Sequence, residues 1–373
     1  MYVGIPTEVK PGEHRVGLVP AGVRALVAAG HTVGVQSGAG KGAGIDDAAY
    51  AQAGAQVLEE AKTIWAKADM VVKVKEPIES EYALMRARQI IYAYFHLAAV
   101  PKLARALAET KATAVAYETI QLADGSLPLL RPMSEIAGKM AIQVGARCLE
   151  RIQGGKGILL GGVPGVRRGK VAILGAGSVG LSAAKVAHGM GAQVSILDTN
   201  VARLAYIDDV FNGALTTLSA DTDNIEIALS EADLVVGAVY LPGAKAPRLV
   251  TRKQLALMEA GSVVVDVAVD QGGCFETIYA TTHESPTYVV DGILHYGVSN
   301  MPGAVPRSST YALTNATTPY ALLLAKYGAL EAAKNFPPLA LGLNSLHGQI
   351  VCEPVAEAVD MPFVPWQTAS TLT

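Results

Sequence analysis

An α/β fold with two doubly wound parallel sheets is what the sequence predicts, on three observations. Short runs rich in Val and Ile alternate with helical patterns along most of the chain, as parallel strands joined by crossover helices do. One run, residues 171–174, leads into Gly175, Gly177 and Gly180 at the spacing G-x-G-x-x-G. Two long helical stretches, one after Pro132 and one from Thr310, divide the chain. Together they predict two Rossmann-like domains joined by long helices, one inserted into the other. The expected bounds are 1–130 plus 308–373 for the discontinuous domain and 131–307 for the inserted one.

The first segment supplies five expected strands, at residues 2–6, 31–36, 70–74, 90–95 and 113–117. Helical patterns lie between them at 20–29, 47–53 and 57–66. Ligands of open parallel sheets bind beyond the carboxyl ends of the strands. Arg15 lies in the loop after the first strand, Lys75 directly after the third and His96 directly after the fourth. Each has an ordinary reading: a surface arginine, a solvated strand-end lysine, a hydrogen-bonded core histidine. Three chemically matched groups on one sheet edge favour a polar ligand site instead.

From Pro132 a helix is expected to run to about residue 153, with Ser134 as its cap and Gly154-Gly155 closing it. The glycine motif follows. Gly175 makes the tight turn, Gly177 admits a pyrophosphate, and Gly180 lets helix and strand pack closely. The helix that opens at Ser178 offers free N–H groups and a positive dipole end to phosphate. The next expected strand ends at Asp198, roughly 20 residues on, where a carboxylate accepts ribose hydroxyls and repels an extra phosphate. This favours NAD over NADP, although Arg203 stands nearby. Further strands are expected at 214–218, 234–239, 263–269, 288–290 and 295–298. Asp270 sits at the carboxyl end of one of them, with two readings of equal weight: a turn cap beside Gly272, or a catalytic acid near the nicotinamide. A helix over 310–328 is expected to lead the tail from Pro337 back to the first domain.

Composition excludes several classes. The chain has 373 residues and a net charge of −3, so nothing suggests a nucleic-acid surface. The mean hydropathy is +0.31, yet charges interrupt every apolar stretch before it could span a bilayer. The first residues read as a strand, without a signal-peptide pattern. Three scattered cysteines, Cys148, Cys274 and Cys352, form no C-x-x-C and suit a reducing cytoplasm.

Several motifs in order carry a resemblance. They are Val3-Gly4-Ile5-Pro6-Thr7-Glu8 with Arg15, Val74-Lys75-Glu76-Pro77, Phe95-His96-Leu97, Pro132-Met133-Ser134-Glu135, Gly161-Gly162-Val163-Pro164-Gly165, Asp270-Gln271-Gly272-Gly273 and Tyr311-Ala312-Leu313-Thr314-Asn315-Ala316. With these the chain resembles the alanine dehydrogenase and nicotinamide nucleotide transhydrogenase family, essentially end to end. The resemblance implies NAD-dependent, reversible oxidative deamination of L-alanine to pyruvate and ammonia. It implies substrate binding by Arg15 and Lys75, and catalysis by His96 and Asp270. Cofactor contacts are implied for Ser134, the glycine motif with Ser178 and Val179, Asp198, Ser219, Val239, Tyr240, Val267, Ala268, Val269, Asp270, Val298, Ser299, Asn300 and Met301. Arg203 stands where a lysine near the ribose is often found. Leu323 and Tyr327 replace a Glu and a His that bind a divalent metal in some members, so no metal is expected. Tyr279 replaces an Arg that contacts NAD in some members. A homohexamer, with a cleft closing on NAD, is also implied. Two alternatives stay open: the soluble NAD-binding component of a proton-translocating transhydrogenase, and a related dehydrogenase of lysine or saccharopine type.

Overall fold

The computed structural model describes residues 1–239 and 246–371. The chain divides into two compact units, Met1–Met133 with Val305–Thr373, and Ser134–Ala304. The first contains strands β1 (Tyr2–Ile5), β2 (Thr32–Gln36), β3 (Gln56–Leu58), β4 (Met70–Val72), β5 (Ile90–Ala93) and β6 (Thr113–Ala116). The second contains β7 (Lys170–Leu174), β8 (Gln193–Asp198), β9 (Thr216–Ser219), β10 (Leu234–Gly237), β11 (Val263–Asp266), β12 (Thr287–Val290) and β13 (Ile293–Tyr296). The tail returns to the first unit with β14 (Leu343–Leu346) and β15 (Gln349–Ile350).

Each unit is a doubly wound sheet. The first has the order β3-β2-β1-β4-β5-β6, parallel throughout, with antiparallel β14 and β15 added beyond β6. The second runs β9-β8-β7-β10-β11-β13, again parallel, with β12 antiparallel at its edge. In both the strand order reverses beside the first strand, between β1 and β4 and between β7 and β10. Such switch points are where open sheets leave a crevice for ligands. The central strands β4, β5, β10 and β11 are buried at every position, as strands covered on both faces must be. In the first unit Trp65, Phe95, Leu103 and Leu107 pack together on one face.

Four local features differ from expectation. Residues 56–58 form edge strand β3, and the helix begins only at Ala61. The strand is short and half-exposed, so its apolar residues blend into the helical period of the next segment. The helix expected after Pro132 spans Arg131–Cys148, so Ser134 lies inside its first turns and not at the cap position. Proline fits an opening helical turn, where its missing N–H is not needed. A separate short turn, Arg151–Gln153, ends at Gly154 in the left-handed region. The second long helix spans Pro306–Asn335 and is broken by Gly328, with φ 71° and ψ 168°. Among the described residues no helix is long and apolar enough to cross a membrane.

Glycine sets one close approach. A Cβ on Gly138 would lie 2.1 Å from the Val179 carbonyl oxygen, so the helix carrying Ser134 presses against the helix Ser178–Gly189 at this point. Gly138→Val is expected to destabilise the protein by at least about 1–3 kcal/mol in denaturant titration, the usual range for overpacking. Gly189→Ala, with nothing within 4 Å of its new carbon, is expected to be neutral or slightly stabilising.

Candidate active site

The edge of the first unit is built on carboxylates that accept backbone N–H groups where the strands end. Glu8, just past β1, accepts from Val74 at 2.6 Å and from Lys75 at 3.4 Å. It also stands 3.3 Å from the Lys73 ammonium, whose other partner is Glu81 at 3.0 Å. Burial alone would lower the Lys73 pKa, and the two carboxylates raise it, so the ammonium stays charged in the interior. A buried ion triad of this kind holds the segment leading to Lys75.

Arg15 is 2% exposed, which excludes the surface reading. Its guanidinium donates to both oxygens of Glu13, at 2.6 and 2.5 Å, and Nη1 donates to the Met133 sulfur at 3.1 Å. Burial works to raise the Glu13 carboxyl, but the hydrogen bonds and charge of Arg15 prevail and bring it down to about 2. Lys75 is the near neighbour of this pair. Burial first, then the like charges of Arg15 and Lys10, lower its pKa, against the pull of Glu76 and Glu13. The structure therefore brings Arg15 and Lys75 together as a cationic pair tempered by Glu13 and Glu76.

His96 follows β5 in a left-handed conformation, φ 47° and ψ 39°, unusual for a residue with a Cβ. Its N–H donates to Glu118 at 2.5 Å, and the N–H of Phe95 donates to the same carboxylate at 3.1 Å. Glu118 stands just past β6, the neighbouring strand. The imidazole is exposed and stacks on Tyr94, with centroids 6.0 Å apart and planes 13° apart. Tyr94 in turn donates its hydroxyl to the Leu129 carbonyl at 2.5 Å. The ring is thus fixed at its backbone and on one face, and its edge is left to solvent.

In the second unit the expected cofactor residues fall at the carboxyl ends of successive strands. Gly175, φ 107°, closes the turn after β7, and a Cβ there would meet the Ala238 carbonyl oxygen at 2.8 Å and Val239 at 3.1 Å. A Cβ on Gly180 would lie 1.8 Å from the Gly175 carbonyl oxygen, so only glycine fits. Gly177 and Ser178 are exposed at the helix N-terminus, and a Cβ on Gly177 would meet nothing within 4 Å. That open space over free N–H groups fits a dinucleotide's pyrophosphate. Val179 is half-buried, and its carbonyl lies against Gly138, one helical turn from half-buried Ser134. Asp198 ends β8 beside Ser219 at the end of β9, and accepts from the N–H of Ala176 at 2.7 Å and of Asn200 at 2.8 Å. Its remaining lone pairs suit ribose hydroxyls. Arg203 donates to the Ala176 carbonyl at 2.6 Å and lies over the Tyr206 ring.

Val267, Ala268, Val269 and Asp270 follow β11. Asp270 is exposed within the turn Val269–Gln271. Val298, Ser299, Asn300 and Met301 follow β13, with Asn300 at φ 57° accepting from the N–H of Gly303 at 2.8 Å. Tyr240 lies outside the described residues. Tyr279 stacks on Tyr288 with centroids 3.8 Å apart. Sequence reasoning missed Glu8, Glu13 and Glu118 at the edge of the first unit and Asp266 at that of the second. A lone charged residue inside an apolar strand run is the signal that marks Asp266 directly, and Lys73, the ion-pair partner of Glu8, in the same way.

The comparisons with known proteins cover the whole of this arrangement. Residues 4–137 match the family described as alanine dehydrogenase/PNT, N-terminal domain, and residues 141–353 its C-terminal domain. The chain belongs to this alanine dehydrogenase/PNT family. A curated alanine dehydrogenase of Methanococcus maripaludis is 54% identical over 370 residues, covering 99% of both chains. A solved L-alanine dehydrogenase superposes with a TM-score of 0.94 at 52% identity, over 96% of this chain and 99% of that one. A solved transhydrogenase from Sinorhizobium meliloti reaches a TM-score of 0.80 at 26% identity, over 94% and 99%. Within the family, the alanine dehydrogenase reading is favoured over the transhydrogenase one by this difference. Family membership also brings a nicotinamide dinucleotide cofactor.

The depressed Glu13 carboxyl has a pH signature. A group lowered from 4.5 to about 2 contributes stability above pH 4.5 that is lost as pH falls through about 2, at most about 3 kcal/mol. Urea midpoints of the protein and of Glu13→Gln are expected to differ most above pH 4.5 and to converge towards pH 2.

Proposed function

We propose that the chain is an NAD-dependent alanine dehydrogenase, converting L-alanine, water and NAD to pyruvate, ammonium, NADH and a proton, reversibly. The observation that carries the proposal is the 54% identity to an alanine dehydrogenase across 99% of both chains. Support comes from the chemistry of the two sheet edges. The substrate carboxylate is matched to the Arg15 fork, a charge-assisted contact worth about 1.5–3 kcal/mol. Lys75, with its lowered pKa, is suited to the oxygen that develops on the substrate carbon.

When bound, the dinucleotide supplies the hydride acceptor for the substrate Cα. Its holders are the free N–H groups at Gly177 and Ser178, with Val179, Ser134, Asp198, Arg203, Ser219, Val239, Tyr240, the run 267–270 and the run 298–301. Asp198 favours NAD, because a second carboxylate-facing phosphate would be repelled. The chain's own residues then manage protons. Water adds to the imine carbon, the C–N bond breaks, and ammonia leaves with a proton. His96 takes the water proton and returns it to the leaving nitrogen, and Asp270 is the second carrier; each such transfer is worth roughly 10²–10⁴ in rate.

We place the enzyme in the cytoplasm as a homohexamer. All three cysteines are unpaired, as a reducing compartment requires. Ile152 and Leu159, 86% and 67% exposed, are apolar surface suited to subunit contact.

Purified protein with NAD and L-alanine is expected to form NADH, with larger amino acids used less well. His96→Ala and Asp270→Asn are each expected to reduce kcat at least about 10²-fold while NADH still binds by fluorescence titration. Absence of NADH formation with alanine, or near-normal turnover in either variant, contradicts the assignment.

A further inference from the structure

Asp266 is a fully buried acid that the reaction above does not use. It is the last residue of β11, inside a run of valines. Its carboxylate faces N–H donors on more than one side. Oδ1 accepts from Ala268 at 2.9 Å, and Oδ2 accepts from Cys274 at 2.7 Å. These two bonds fasten the beginning and the end of the loop that carries Asp270. Within the loop the N–H of Gln271 donates to the Ala268 carbonyl at 2.9 Å, and that of Gly273 to the same oxygen at 3.1 Å.

The surroundings are cut to admit this side chain. A Cβ on Gly237, the register partner of Asp266 on β10, would lie 2.9 Å from Oδ1. A Cβ on Gly273, φ 79°, would lie 2.7 Å from Oδ2. The carboxylate is thus a close neighbour of both glycines, beside Phe275 at 2.9 Å from the Gly237 position and Ile278 at 2.1 Å from that of Gly273. Burial pushes the Asp266 pKa up and its backbone N–H bonds pull it back, leaving it at about 6. Above that pH it is an acceptor only, which is the form that N–H donors on both oxygens demand.

We propose that Asp266 is the positioning residue for Asp270, its carboxylate closing the loop 267–274 from beneath so that the Asp270 side chain is presented at the sheet edge. Asp266 touches neither substrate nor cofactor and acts through the loop. The proposal rests on the reading of Asp270 as a proton carrier, and its test separates the two.

Asp266→Asn keeps the volume and turns one acceptor into a donor that opposes an N–H. In the full chain this variant is expected to lose about 10²-fold in kcat for alanine oxidation, the scale of a 1 Å misplacement. The KM for L-alanine is expected to stay near that of the parent protein, and the Tm to fall by some degrees without loss of the folded state at the assay temperature. In the double variant with Asp270→Asn, no further loss of kcat is expected, because the displaced group is already absent. Gly237→Ala displaces the carboxylate without removing it and is expected to lower kcat in the same direction. Wild-type kcat in a folded Asp266→Asn protein overturns the proposal, as do losses that multiply in the double variant. A fall in Tm with unchanged kcat per folded molecule assigns Asp266 to structure alone, and also overturns it. An NMR readout does not depend on turnover: the Ala268 and Cys274 amide protons are expected to move upfield in Asp266→Asn while those of Val263–Val265 stay. If the parent protein oxidised no alanine, the functional reading would fall, and unmoved Ala268 and Cys274 amides would separately refute the loop closure.

Discussion

A backbone N–H beyond the carboxyl end of a parallel strand has lost its ladder partner, and leaving it buried without an acceptor costs about 1–3 kcal/mol. This demand shapes both candidate ligand edges. Glu8 meets it for Val74 and Lys75, Glu118 for Phe95 and His96, Asp198 for Ala176 and Asn200, and Asp266 for Ala268 and Cys274. In all four the acid comes from the end of the strand next door or from its own strand's end. Lys75, His96 and Asp270, three of the side chains proposed to act in the reaction, sit on or within two residues of a segment latched in this way. Function at these edges therefore depends on acids that are not themselves proposed to react.

The latches also account for the backbone of the residues proposed to react. A left-handed histidine costs on the order of 1–2 kcal/mol. The charge-assisted bonds of Glu118 to consecutive N–H groups offset it, and Tyr94 fixes the ring plane. Arg15 is treated differently, since its side chain, not its backbone alone, is held by Glu13. That arrangement keeps a buried guanidinium compensated before any substrate carboxylate arrives, as a buried charge requires. Lys75, with positive neighbours and burial, has its pKa lowered.

Much of the fold was legible because its signals are periodic. Strands buried on both faces read as apolar runs, and β1, β2, β4 to β8, β10 and β13 lie where such runs predict them, with ends moved by one to three residues. The ends moved where side chains intervened: β11 stops at Asp266 because its carboxylate turns the chain. Strand β3 was hidden because three half-exposed edge residues carry too short a pattern. The helix start at Arg131 was hidden because Ser134 offers a cap that Pro132 makes unnecessary. The glycine motif was legible through spacing, and contacts at 1.8 and 2.8 Å now give Gly180 and Gly175 their reasons. Glu13 and Glu118 were not, since acids in loops have no spacing rule and their partners lie on other strands.

Amide hydrogen exchange at His96 tests most directly whether carboxylates set the geometry of the reactive edge. Its side chain is exposed, so a loop histidine in its place would exchange freely. The latch predicts protection approaching that of Ile91 and Tyr92 within β5, and a gain in exchange rate of about 10–100-fold in Glu118→Gln, the loss of a charge-assisted bond. Free exchange at His96 in the parent protein, or an unchanged rate in Glu118→Gln, would contradict the account.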